Sequence, residues 1–120
     1  AAKYMVKRNK GTIIFTGATA SMRGGANFAA FASAKNGLRA LAQSMARELG
    51  PKNIHVAHVI IDAAVDTEWI KSIHPEYDKK IKTDGIVNPS HLAENYLYLY
   101  DQPRDAWTFE LDLRPWQETW

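Results

Sequence analysis

Three groups of residues have types and spacing that could do chemistry. The first is Thr16-Gly17-Ala18-Thr19-Ala20-Ser21, which follows a β-branched and aromatic run. A turn at a strand end can offer backbone N–H groups to a pyrophosphate, provided that further glycines let the backbone come close. The second is Phe31-Ala32-Ser33-Ala34-Lys35, an aromatic ring and an ammonium four residues apart. On a helix that spacing puts both on one face. Lys35 is equally readable as a helix-surface lysine, and Phe31 as plain core packing. The third is His55, His58 and Asp62, whose side chains are metal-ligand types. Residues three apart on a strand point to opposite faces, so no metal site is expected there. Lys79, Lys80 and Lys82 read as a solvated basic face. Tyr96, Tyr98 and Tyr100 are spaced by two on a predicted helix, so they form no single stripe and read as packing and interface residues.

The elements that must position these groups follow from pattern. Residues 1–9 read as the end of a helix, with Lys7-Arg8 at its last turn and Asn9-Lys10-Gly11 as the break. Thr12 to Thr16 is a predicted strand, and residues 17–26 a loop. Asn27 is a good N-cap for a helix whose apolar residues, Phe31, Ala34, Leu38, Leu41, Ala42, Met45 and Leu49, recur every three or four positions up to Gly50-Pro51. Ile54 to Ile61 is apolar on both alternating sets apart from its histidines, as in a strand buried on both faces of a parallel sheet. Thr67 is set to cap a short helix through Ile73. Pro89-Ser90 opens another to about Tyr100, with Leu92, Tyr96 and Leu99 on one side. Trp107, Phe109, Leu111 and Leu113 alternate with polar residues and predict an edge strand. The fold class expected is α/β: three mostly parallel strands with flanking helices, part of a doubly wound, Rossmann-like domain. Residues 1–120 are expected to form one domain, with 114–120 as a tail.

Composition bounds the function. With 46% hydrophobic and 23% charged residues the 120-residue chain is ordinary globular protein. A net charge of +2 is too weak to argue for nucleic acid. There is no cysteine, which excludes disulfides, thiolate chemistry and cysteine-based zinc sites and fits a cytoplasmic location. No apolar run approaches the ~18 residues of a membrane span. The start, Ala1-Ala2-Lys3-Tyr4, has neither a signal-peptide pattern nor an initiator methionine, and a cut is expected there.

The stretch from Lys10 to Phe15, the Phe31-x-x-x-Lys35 pair, the helix from Leu38 to Leu49, Ile54-His55-Val56 and Val65-Asp66-Thr67 together resemble the short-chain dehydrogenase/reductase family. The resemblance is best over residues 10–67, covers most of 1–113, and reads as the carboxyl-terminal half of such a protein. It implies an oxidoreductase that uses NAD or NADP to interconvert alcohols and carbonyls. It also implies that Phe31 occupies the position of the family's catalytic tyrosine, that Ala18 lies at or near its serine, and that Lys35 is retained. Val65 and Thr67 are implied to touch the nicotinamide end, although they could merely close a turn. In the family's glycine pattern Ser21 and Arg23 stand where glycines belong, and Gly24 and Gly25 are out of register. Asp62-Ala63 replaces a Pro-Gly.

The expectation is therefore a catalytically silent or truncated family member that binds no cofactor by itself. The alternative is an enzyme with altered chemistry, completed by a missing amino-terminal half. A homodimer or tetramer is expected, since the resemblance implies that the long helix is an interface element, and Trp107, Phe109, Trp116 and Trp120 add aromatic surface near the chain end. No nucleic acid or membrane partner is expected.

Overall fold

The computed structural model describes residues 1–119; Trp120, one of the aromatic residues read as interface surface, lies outside them. Helix α1 (Ala2–Arg8) ends at Asn9, whose left-handed φ of 52° stops it. Strand β1 (Gly11–Thr16), a 3-10 turn (Thr19–Ser21), helix α2 (Ala29–Leu49) and strand β2 (Ile54–Ile61) follow. Two short helices, α3 (Glu68–Ile73) and α4 (Tyr77–Lys80), precede α5 (Pro89–Asp101) and strand β3 (Glu110–Leu113).

The strands lie in the order β1-β2-β3, and both neighbouring pairs are parallel, Gly11 opposite Ile54 and His58 opposite Glu110 at their starts. This is the doubly wound, Rossmann-like core that the pattern predicts. The central strand β2 buries both faces. Ile54 and Val56 pack with Leu49, Met5 and Met45 under α1 and α2, while Ala57 and Val59 pack with Leu99 under α5. Among the described residues no helix is long and apolar enough to cross a membrane.

Three local expectations are revised. Asn27 does not cap α2: it sits in the left-handed region at φ 69°, and Phe28 holds the cap position without a side-chain bond. The same short polar side chain that suits a cap also tolerates a left-handed turn, and here the turn wins. Second, the apolar row on α2 is not buried as a whole: Phe31, at 47% exposure, and Leu41, at 49%, stay about half exposed. The inward row is Ala32, Lys35, Arg39, Ala42, Ala46 and Leu49, whose members are all at least half-buried. Third, the last strand begins at Glu110 rather than Trp107. Gln102 takes the backbone there: its Oε1 accepts from Thr108 N at 2.7 Å, its Nε2 donates to Thr108 Oγ1 at 2.8 Å, and its carbonyl accepts from Trp107 Nε1 at 3.3 Å.

Residues 114–119 are fastened to the body. Arg114 reaches Asp62 at 3.3 Å, Pro115 is buried, and the Gln117 amide donates to Thr83 O.

Candidate functional site

The site forms where β1 and β2 end. Thr16 closes β1, and its carbonyl accepts from Lys35 Nζ at 2.9 Å. The Thr16 hydroxyl pairs with Tyr96 OH from α5 at 2.7 Å. Lys35 Nζ also lies 5.8 Å from the centroid of the Phe31 ring, within cation–π range. The shared face expected from the four-residue spacing is therefore present, and the inward row of α2 carries the lysine to the strand end.

Beyond Thr16 the chain turns sharply. Gly17 N donates to Val59 O at 2.6 Å. A side chain here has no room: a Cβ would stand 2.3 Å from His58 Nε2 and 2.7 Å from Ser21 Oγ. Ser21 is wholly buried, and its Oγ accepts from Ala18 N at 3.1 Å, which holds the turn closed. Asn36 on α2 donates to Ala20 O at 2.7 Å from the other side.

This turn forms one wall of a cavity of about 420 Å³, lined among others by Ala18, Thr19, Arg23, Phe28, Phe31 and Ala63. Ala18 and Phe31, both singled out from sequence, do meet there. Neither carries a hydroxyl. The polar groups at the wall come instead from Thr19, which donates its hydroxyl to Asp62 Oδ1, and from Arg23, 3.5 Å from Asp62 Oδ2. Asp62 is only 3% exposed and also faces Arg114. Val65 and Thr67 do not line this cavity. Val65 bridges Val87, and Thr67 Oγ1 accepts from Ile70 N at 3.2 Å to cap α3.

The two histidines of β2 do point to opposite faces. His55 stacks on Trp107 with centroids 5.0 Å apart, and its Nε2 lies 2.8 Å from Thr108 O. His58 places Nδ1 3.0 Å from Glu110 Oε2. Glu110 also receives a two-pronged bond from Arg39, at 2.6 and 2.8 Å. That bond holds the Glu110 carboxyl below the usual carboxylate range, against the opposing effect of burial, and His58 adds to it. Arg39 is raised by the same bond.

A further pair brackets α3, with Asp66 just before it and Tyr77 at the start of α4. Tyr77 OH donates to Asp66 Oδ1 at 2.6 Å. This bond, with partial burial and nearby carboxylates, pushes the Tyr77 phenol up to about 12. The neutral phenol is the form that the fold favours, so its contribution to stability is complete below the ordinary phenol value of about 10 and is lost as pH rises through about 12. Ultraviolet difference titration of Asp66→Asn should show one tyrosine moving down towards the ordinary value. An unchanged titration curve would show that Asp66 does not hold the proton.

Sequence reading missed the Arg39–Glu110–His58 chain, the Asp62 cluster and the Tyr77–Asp66 pair. The only signal for the first was that Arg39 continues the row of Lys35 at a helical interval. The partners of the other two come from separate segments and carry no spacing signal.

The short chain dehydrogenase family model matches residues 1–78. The chain is 51% identical to a short-chain dehydrogenase from Rhodopseudomonas palustris of known structure, with a TM-score of 0.72 over 96% of this chain and 43% of that one. It is 37% identical to the 3-oxoacyl-[acyl-carrier-protein] reductase MabA of Mycobacterium avium, over 72% of this chain and 32% of that protein. It is 28% identical to the 3-oxoacyl-[acyl-carrier-protein] reductase of Bos taurus, over 86% of this chain and 44% of that protein. The chain thus spans less than half the length of each.

The match corrects the assignment made from sequence. It lies over the amino-terminal part of the chain and not over the carboxyl-terminal part, and a tyrosine, Tyr77, is present within it. The description as a carboxyl-terminal half with Phe in place of the family's tyrosine does not stand. An aromatic and a lysine four apart fix a shared helix face; they do not fix which part of a fold the helix represents, nor whether a phenol comes from another segment. With residues 1–78 matched and the parallel sheet in place, the chain belongs to the short chain dehydrogenase family.

Proposed function

We propose that this chain is a partial short chain dehydrogenase that contributes one wall of a ligand cavity, next to the strand end on which Lys35 is anchored, and is silent, by itself, in nicotinamide-dependent alcohol–carbonyl chemistry. The observation that carries this is the cavity wall formed by the β1-end turn and Phe31. Its Ala18 and Phe31 have no proton to give, and the Tyr77 phenol is committed to Asp66. A positioned general acid contributes typically ~10²–10⁴-fold in rate.

NAD or NADP is the cofactor that family resemblance suggests. The residues present do not fit its phosphates: at Gly17, the glycine of the strand-end turn, the space that a missing Cβ frees is filled by His58 and Ser21. Lys35, Val65 and Thr67 already serve Thr16 O, Val87 and the α3 cap.

The expected result is that calorimetric titration with the four nicotinamide dinucleotides gives no micromolar binding, and that alcohols and ketones are not turned over. Measurable turnover by the 120-residue chain overturns this. A second reading, an alcohol–carbonyl oxidoreductase completed by additional sequence, is favoured by the Thr19–Asp62 hydroxyl–carboxylate pair at the same wall.

Self-association is part of the proposal. Phe31 and Leu41 leave an apolar row of α2 uncovered, and β1 lies at a sheet edge. Light scattering after size exclusion should give a dimer or tetramer; a clean 13.5 kDa monomer with a cooperative melt counts against it.

A further inference from the structure

From the chemistry of its lining we infer that the cavity beside Phe31 takes a small aromatic anion, an arene carboxylate, with its ring against Phe28 and Phe31 and its carboxylate on Arg23. The inference deepens the proposed function and rests on the reading that this cavity is the ligand site; it does not require nicotinamide chemistry.

Size and lining come first. At about 420 Å³ the cavity falls within the ~300–1,000 Å³ of small-molecule sites. Its interior is made by Ala18, Ala20, Ile61 and Ala63, small or aliphatic side chains that offer no hydrogen bond. Phe28 and Phe31 line it as well, yet remain 59% and 47% exposed. Two large aromatic rings left in water beside an apolar cavity are the kind of surface that a ligand covers. Flat faces of this type receive another ring in offset or edge-on stacking.

Charge selects the ligand further. Arg23 is the one charged side chain among the described lining residues, and no carboxylate lines the cavity. Its ion pair with Asp62 is long, 3.5 Å, and its side chain is 46% exposed. Asp62 is served independently by the Thr19 hydroxyl and by Arg114 at 3.3 Å. Arg23 can therefore turn its planar fork towards an incoming carboxylate while Asp62 keeps two other partners. The pair is long and its arginine is half exposed, although Asp62 itself is buried, whereas a two-pronged bond to a carboxylate is short and charge-assisted. A neutral ligand of the same shape gains only the ring contacts.

The test uses the 120-residue chain with naphthoate and its neutral counterpart naphthylmethanol, each titrated alone and followed by ligand fluorescence and saturation-transfer NMR. Naphthoate should bind more tightly than naphthylmethanol. Arg23→Gln should weaken naphthoate by about tenfold or more, the scale of one charge-assisted hydrogen bond, and leave naphthylmethanol unchanged. Ala63→Phe should abolish binding of both by filling the cavity, and Ala18→Leu serves the same purpose if a circular-dichroism melt shows the first variant unfolded. No binding of naphthoate, equal affinity for the two probes, or equal weakening of both by Arg23→Gln overturns the inference. No dinucleotide is present, so failure here is distinct from the appearance of turnover, which bears only on the proposed silence.

Discussion

Glu110→Ala should cost the fold about 3 kcal/mol, more than a surface substitution can. Glu110 on β3 joins two cationic or polar partners from different elements: Arg39 on α2, through both of its oxygens, and His58 on β2. Facing a carboxylate, His58 Nδ1 must carry the ring proton. His58 is wholly buried, and its Nε2 has no hydrogen-bond partner. Loss of Glu110 leaves that ring with neither nitrogen bonded, and leaves Arg39 turned towards the sheet without its carboxylate. The full penalty for breaking a buried pair, roughly 3–5 kcal/mol, is reduced because Arg39 and Glu110 keep 31% and 22% side-chain exposure.

The sign of the pH effect follows from the lowered Glu110 value. Its contribution is complete above the ordinary glutamate value of about 4.3 and is lost as pH falls through the depressed value in the fold. Urea melts should show the parent losing stability relative to Glu110→Gln on acidification below about pH 4. Parallel curves for the two would remove Glu110 from the account of acid stability.

Gly17→Ala should be nearly as damaging, about 3 kcal/mol, the upper part of the range for overpacking. The added methyl would meet His58 Nε2 at 2.3 Å and Ser21 Oγ at 2.7 Å. Neither neighbour is the free end of a flexible chain. His58 is held by Glu110, and Ser21 is held by the turn that it closes. The turn must move instead, and it carries Ala18 and Thr19 of the cavity wall. In a His58→Ala background the same change should cost clearly less, because the nearer obstacle is gone and only Ser21 Oγ at 2.7 Å remains. Equal costs in the two backgrounds would show that the ring is not what excludes a side chain at Gly17.

The sequence was most informative where one residue pattern admits one environment. Ile54 to Ile61 is apolar on both sides, and β2 occupies the same residues, since only a central strand uses such a run. Thr67 caps α3 because a hydroxyl before a short amphipathic stretch has a local donor to satisfy. On α2 the apolar spacing found Ala42, Met45 and Leu49 but not the rest of the inward row. Small alanines let that helix approach the sheet, and Lys35 and Arg39 find polar targets at strand ends that helix periodicity cannot reveal. The start of β3 was hidden because Gln102 captures the Thr108 backbone. Within the site, the shared face of Phe31 and Lys35 was legible through local spacing, whereas Ala18 was named only through the family resemblance. Asp62 was not legible, because its partners Thr19, Arg23 and Arg114 come from distant parts of the chain.

The two rows of α2 give this helix separate histories to keep. A change at Ala32, Lys35 or Arg39 is felt by the strand ends and the cavity turn, whereas a change at Leu41, half exposed, alters the outer surface of the helix. Descendants of such a helix can exchange neighbours while preserving their interior, or remodel the interior while keeping the same neighbours. Phe31 alone belongs to both sides, since it lines the cavity and is exposed. Drift at that one position would carry both characters together.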